Sequence, residues 1–148
     1  FEDTGPSATV EQCFQQLIDG GYVQDERIFW DEASAAVGIV SSTPPNNDGF
    51  LEPGENAWGY VKGLSANSAS ATPILFLGSR TVGMFDTRVF VGEKAIVAKV
   101  DGSVETHSIA KVEGASEGVI LVDKEGRKVD IFSDLPAGAK IMVPAKFE

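Results

Sequence analysis

The sequence has a single cysteine and a single histidine, and few of its 148 residues are basic. A lone cysteine, Cys13, excludes an internal disulfide, and its apolar neighbours at helical spacing predict a buried structural thiol. Only 12 lysines and arginines stand against 22 aspartates and glutamates, which gives a net charge of −10. This argues against a nucleic-acid partner, because binding to phosphates needs a basic surface. We interpret the acidity chiefly as a contribution to solubility.

Motifs that carry catalysis are absent as well. The sequence has no glycine-rich phosphate loop, no nucleophile elbow, no Cys-x-x-Cys pair and no paired-histidine metal motif. His107 falls in a predicted strand, and no partner that would make it a general base can be identified. We therefore interpret it as a structural or solvated side chain. The sequence predicts that the protein is not an enzyme.

Long apolar runs are also missing. No stretch of about 18 apolar residues occurs, so no membrane span is predicted within the sequence as given. The chain begins with Phe1 rather than methionine, and we interpret it as a processed product that has lost an upstream segment. A hydrophobic content of 43% with nine phenylalanines predicts one globular domain over residues 1–148 with a substantial core.

What the sequence does contain is the pattern of one helix followed by an antiparallel sheet, an α+β fold. Thr9 and Gln12 match a capping box, and apolar residues then recur at helical spacing up to Gly20-Gly21, which predicts a helix over 9–19. Alternating residues predict a three-stranded meander with strands near 86–91, 95–100 and 103–109, the last two joined by the Asp101-Gly102 turn. The other predicted strands are 35–40, 58–61, 73–77, the hairpin of 119–122 with 128–132, and 139–144.

Residues 46–55 (NNDGFLEPGE), within a long loop over 41–56, are rich in the oxygen atoms that calcium binds. Alignment of Gly49 with the bend glycine of an EF-hand-like loop places Asn46, Asp48 and Glu55 at ligand positions. The residue at the first position, Pro44, has no side-chain oxygen, and flanking helices are not evident. The alternative hypothesis is an Asx-rich turn whose side chains cap their own backbone. The spacing leaves both open, and the candidate calcium ligands are Asn46, Asp48, Glu52 and Glu55.

Three stretches in order resemble the bacterial type II secretion pseudopilins and related type IV pilin-like proteins. They are residues 14–29 (FQQLIDGGYVQDERIF), 58–64 (WGYVKGL) followed by 71–75 (ATPIL), and 94–105 (KAIVAKVDGSVE). Two features depart from the family pattern: Trp30-Asp31-Glu32 follows Phe29 where Cys-Pro is frequent, and Lys99-Val100 replaces an aromatic residue before Asp-Gly. The resemblance covers about 10–109. Residues 110–148 lie outside it and are expected to add strands of their own, and an added β-subdomain is one arrangement that this allows.

The resemblance implies a pilin-like head whose upstream hydrophobic helix anchors the subunit in the inner membrane before assembly. The head would then be exposed in the periplasm or at the cell surface, with other pilin or pseudopilin subunits as partners. Some members of the family carry a stabilising calcium, which favours a metal at the 46–55 loop. The alternative is a secreted or surface-displayed binding module that uses the loops 41–56 and 65–72 to hold a host or surface ligand, with or without calcium.

Overall fold

A computed structural model describes residues 9–65, 67–90, 92–111 and 113–147. Its helical part comprises α1 (Val10–Asp19), a 3₁₀ helix (Glu26–Phe29) and α2 (Glu32–Ala36). The strands are β1 (Trp58–Lys62), β2 (Pro73–Leu77), β3 (Phe85–Asp86), β4 (Lys94–Lys99), β5 (Val104–Lys111), β6 (Glu117–Lys124), β7 (Arg127–Asp130) and β8 (Lys140–Met142). The fold is therefore mainly antiparallel sheet with few helices, which is broadly α+β or mainly β.

The strands follow the order β3-β6-β5-β4-β2-β1-β8, and every pairing is antiparallel. β6 pairs with β3 and β5 through its first half and with β7 through its second half. β8 pairs with β1, so residues near the C-terminus complete the edge of the sheet beside the strand that follows the helical region. No helix in the described part of the chain is long and apolar enough to cross a bilayer.

The predicted N-terminal helix is confirmed together with its cap. Thr9 Oγ1 accepts a hydrogen bond from Gln12 N, and the Gln12 side chain accepts one from Thr9 N. The buried face of α1, which includes Val10, Cys13 and Phe14, packs against β1 and β8. Burial of side chains of this size contributes roughly 1.5–3 kcal/mol each. Cys13 is fully buried, as the apolar pattern predicts.

The sheet has apolar residues on both faces, because successive side chains of a strand point in opposite directions. On β1, Tyr60 lies in the cluster with α1, whereas Val61 lies in a second cluster on the other face. That second cluster is built around three phenylalanines whose rings contact one another: Phe76, Phe85 and Phe132.

Two predictions of strands were wrong. The first was predicted over 86–91. The strand there ends at Asp86 and pairs with β6 rather than with β4, and residues 87–90 form turns. Val91 lies outside the described residues. Asp86 Oδ1 accepts from Arg88 N, and such a local side-chain hydrogen bond competes with the strand ladder.

The second strand was predicted over 35–40. The chain there contains the end of α2 and a turn, because Asp31 caps the helix by accepting from Ser34 N. The β4–β5 and β6–β7 hairpins are confirmed.

Candidate cation site at the 46–55 loop

The four predicted calcium ligands lie at or near the surface. Asn46, Asp48 and Glu52 are exposed, and Glu55 is half-buried. Two of them cap the loop backbone: Asp48 Oδ1 accepts from Phe50 N at 3.0 Å, and Glu55 Oε1 accepts from Glu52 N at 2.8 Å. The Asx-turn alternative therefore describes part of this loop. Each carboxylate has a second oxygen, so capping does not exhaust its capacity to bind a cation.

The residue that sequence reasoning missed is Glu26, at the start of the 3₁₀ helix. Its side chain reaches the loop, where Glu26 Oε2 accepts from Gly49 N at 2.8 Å, and its backbone N donates to Asn47 Oδ1 at 3.0 Å. Glu26 is only 1% exposed. It lies 21 residues before Asn47 in the chain, and no spacing rule connects the two. Asn47 was also missed, although Asn is one of the few residues that readily adopt its backbone conformation, with φ of +60°.

The other oxygen of Glu26 is the unusual feature of the site. Glu26 Oε1 is buried, and no donor lies within hydrogen-bonding distance of it among the residues that the structure describes. A buried polar atom without a partner carries its full desolvation cost, and the cost is larger for an ionised group.

Gln15 on α1 holds the loop in place against the helix. Its Nε2 donates to Gly49 O at 2.8 Å, and its Oε1 accepts from Leu51 N at 2.7 Å. At the other end of the loop, Ser41 N donates to Gly54 O at 2.8 Å. Together with the two hydrogen bonds of Glu26, these contacts fix a segment that lacks regular secondary structure.

The site is negatively charged and its charges are not balanced by basic groups. Burial raises the pKa of Glu55 above its ordinary value, against the lowering effect of the hydrogen bond from Glu52 N. The charges of Glu26, Glu52 and Asp48 raise that pKa further. None of the ion pairs formed by described residues includes any of these four carboxylates. In the arrangement described for 9–65, 67–90, 92–111 and 113–147, no three His, Cys, Asp or Glu side chains converge closely enough to hold a metal by themselves.

A second polar region lies in a cleft of about 410 Å³ between the 69–73 segment and the β6–β7 hairpin. His107 lines this cleft, and its buried Nε2 lies 3.0 Å from Glu105 Oε2 without making a hydrogen bond among the described residues. Lys99 Nζ lies 2.9 Å from Glu105 Oε1. The hydrogen bond from Lys99 lowers the pKa of Glu105. Lys124 pairs with Asp134 and Lys128 with Asp123. Each lysine named here therefore has an acidic neighbour.

Comparison with known proteins assigns no family. No family model matches the chain, and no solved structure matches it. A curated protein that is similar is a histidinol dehydrogenase of Geobacillus kaustophilus (strain HTA426), 33% identical over 107 residues. The match covers 69% of this chain but 25% of that enzyme, so the chain spans about a quarter of the length of its curated relative.

Proposed function

We propose that the chain is the globular head of a pilin-like filament subunit, of the kind found in type II secretion pseudopilins, and that it acts in assembly and surface display rather than in catalysis. The observation that carries the proposal is the packing of α1. Its buried face joins the helix to β1 and β8 through Phe14, Tyr60 and Met142. A hydrophobic helix upstream, as the sequence resemblance implies, would be coupled through α1 to the sheet.

Exposed apolar side chains supply a surface for neighbouring subunits. Tyr22 is 82% exposed, Ile28 57% and Phe50 66%. They belong to three segments that are hydrogen-bonded to one another through Gln15 and Glu26. Hydrogen bonds between the segments support a shared surface, and large exposed apolar residues mark interaction sites when they form one patch. In this proposal the head lies in the periplasm or at the cell surface, the subunit is anchored in the inner membrane before assembly, and other pilin-like subunits are its partners.

The test uses the full-length gene product in its own cell. The proposal expects about 20 apolar residues upstream of the head, retention of the subunit in the membrane fraction, and recovery of the head in fibres sheared from the surface. Replacement of Tyr22, Ile28 and Phe50 by serine should reduce the sheared fraction several-fold. Val104→Ser is the matched control, because Val104 is 64% exposed but lies on β5. A head released into the medium after cleavage of a signal peptide, with no fibre fraction, would contradict the proposal.

A second candidate function is a secreted or surface-displayed binding module that uses the loops 41–56 and 65–72. The cleft favours this alternative, because Ala69, Ala71 and Thr72 line one of its walls. It predicts a cleavable signal peptide in place of the apolar helix, so the same fractionation separates the two functions. The likeness to one quarter of a histidinol dehydrogenase carries no activity over to this chain.

A further inference from the structure

The cleft of about 410 Å³ contains a buried polar atom whose role the fold does not explain. His107 Nε2 is buried and has no hydrogen-bond partner among the residues that the structure describes. Such an atom carries a desolvation cost that a bound group can remove. His107 shares its face of β5 with Ile109, which belongs to the phenylalanine cluster. The cleft therefore lies on the face of the sheet opposite to α1.

The lining of the cleft combines nitrogen donors with apolar surface. The apolar part is contributed by Ala69, Ala71, Pro73, Val122 and Ile131. The donors are Lys99, His107 and Lys124. Lys124 is already paired with Asp134, which also lines the cleft. Lys99 and His107 are therefore the groups left to hold the polar end of a ligand, and a volume of this size is typical of sites for small molecules.

The neighbouring Glu105 shows which kind of anion these two groups accommodate. Its Oε1 accepts from Lys99 Nζ at 2.9 Å, and its Oε2 lies 3.0 Å from His107 Nε2 without hydrogen-bond geometry. One carboxylate thus spans both nitrogens. The side chains of Lys99 and His107 are each 19% exposed, whereas that of Glu105 is 43% exposed and does not line the cleft. Because ion pairs with an exposed partner are weak, a carboxylate that enters the cleft can displace Glu105 into solvent.

We propose that the cleft binds a small organic carboxylate with an apolar tail, whose carboxylate displaces Glu105 and accepts hydrogen bonds from Lys99 Nζ and His107 Nε2. The tail packs against the apolar lining. Glu105 is then an internal competitor that occupies the two donors in the free protein. This inference goes beyond the filament proposal and does not depend on it, because the head alone contains every residue of the site.

The experiment uses the single histidine as the reporter, since the imidazole C–H signals in an NMR spectrum come from His107 alone. Hexanoate is titrated into the 148-residue chain at constant pH and at about 0.15 M salt, which screens repulsion by the acidic surface. The His107 signals should shift along a saturable curve with a dissociation constant of about 1 mM, a reasonable affinity for so small a ligand. Hexylamine has the same tail with the opposite charge, and phosphate lacks the tail, so both should bind at least about tenfold more weakly.

Glu105→Gln is the decisive variant, because the proposal expects it to gain affinity. Removal of the competing charge should tighten hexanoate binding about fivefold, and a failure to fold cannot produce such a gain. Glu113→Gln is the matched control. It makes the same change of charge at an exposed residue that does not line the cleft, and its hexanoate affinity should equal that of the wild type.

Lys99→Met tests the cationic partner. It keeps the apolar stem of the side chain and removes the charge, so hexanoate binding should weaken about tenfold. Lys94→Met is its control, because Lys94 is exposed on the same strand but on the opposite face of the sheet. That variant should bind hexanoate as the wild type does.

Three results would overturn the proposal. The first is the absence of a saturable response of the His107 signals to hexanoate. The second is equally tight binding of hexylamine or phosphate. The third is a hexanoate affinity of Glu105→Gln that does not exceed that of Glu113→Gln. Absence of fibres in cells, with hexanoate binding intact, would instead contradict only the filament proposal.

Discussion

The segments Asp25-Glu26-Arg27 and Asp86-Thr87-Arg88 form the same local structure in two parts of the molecule. In each, the aspartate Oδ1 accepts from the arginine backbone N at 2.9 Å and from Nε, and Oδ2 accepts from Nη2. The surroundings differ. The side chain of Asp25 is 47% exposed, whereas that of Asp86 is fully buried and also lies 3.8 Å from Arg80.

The middle residue makes the comparison informative. Thr87 is buried with its polar atoms satisfied, since both its Oγ1 and its backbone N donate to Ser116 O. Glu26 is buried with Oε1 unsatisfied. The Asp-x-Arg turn forms equally well around threonine, so the local structure does not require an acid at position 26. The unsatisfied Oε1 of Glu26 therefore has a cost that the turn itself does not explain.

The largest loss of stability is expected when Arg88 is replaced in the Asp86-Thr87-Arg88 turn, whose aspartate is buried. Burial raises the pKa of Asp86, but the hydrogen bonds and charge of Arg88, with the charge of Arg80, outweigh it and hold that pKa below its ordinary value. Arg88→Met removes both side-chain hydrogen bonds and leaves the buried carboxylate with the backbone N of residue 88 and with Arg80 at 3.8 Å, which should lower the melting temperature by about 5 °C or more. Differential scanning calorimetry measures the shift.

Arg27→Met is the matched control, because it breaks the same hydrogen bonds around an exposed aspartate. Exposed ion pairs contribute little to stability, so the melting temperature should change by less than about 2 °C. Equal shifts for the two variants would show that burial does not distinguish the two copies.

Sequence reasoning succeeded where the determining interactions are local in the chain. The capping box of Thr9 and Gln12 and the Asp101-Gly102 turn each depend on residues within a few positions, and α1 and the β4–β5 hairpin were predicted from them. It failed where a polar side chain caps the backbone in a stretch whose apolar pattern favours a strand. Asp31 and Asp86 both do this, and they convert the predicted strands into α2 and a turn.

The candidate site shows the same limit over a longer distance. The oxygen-rich composition of 46–55 could be read from the sequence, as could the capping by Asp48. The contribution of Glu26 could not, because the contact between Glu26 Oε2 and Gly49 N spans 23 residues and depends on how the 3₁₀ helix packs against the loop. Whether the loop binds calcium stays a prediction.

A smaller effect is expected from Thr87, the counterpart of Glu26. Thr87→Val keeps the shape of the side chain and removes the hydroxyl that donates to Ser116 O at 2.9 Å. Ser116 O still accepts from Thr87 N, so no acceptor is left unpaired. We expect a loss of about 0.5–1.5 kcal/mol in the free energy of unfolding, measured by urea denaturation. A loss as large as that of Arg88→Met would contradict this expectation.

The smallest effect concerns Glu11, a third buried carboxylate. It accepts hydrogen bonds, but it forms no ion pair with any basic residue that the structure describes. Burial raises its pKa, and the hydrogen bonds from Asn56 and Ala145 only partly oppose this. The folded state therefore holds the proton of Glu11 more tightly than the unfolded state does. The resulting stabilisation is present below the ordinary value of 4.5 and is lost as pH rises through the raised pKa. Relative to Glu11→Gln, the wild type should thus lose stability as pH rises above the ordinary value of 4.5. For Asp86 the pH dependence of stability has the opposite sign, because the pKa of Asp86 is lowered. The wild type should be more stable than Asp86→Asn at pH 7, and this difference in stability should shrink as pH falls below the ordinary value of 3.8. Urea denaturation across this pH range measures both, and slopes of the same sign would mean that the arginines near Asp86 do not set its ionisation.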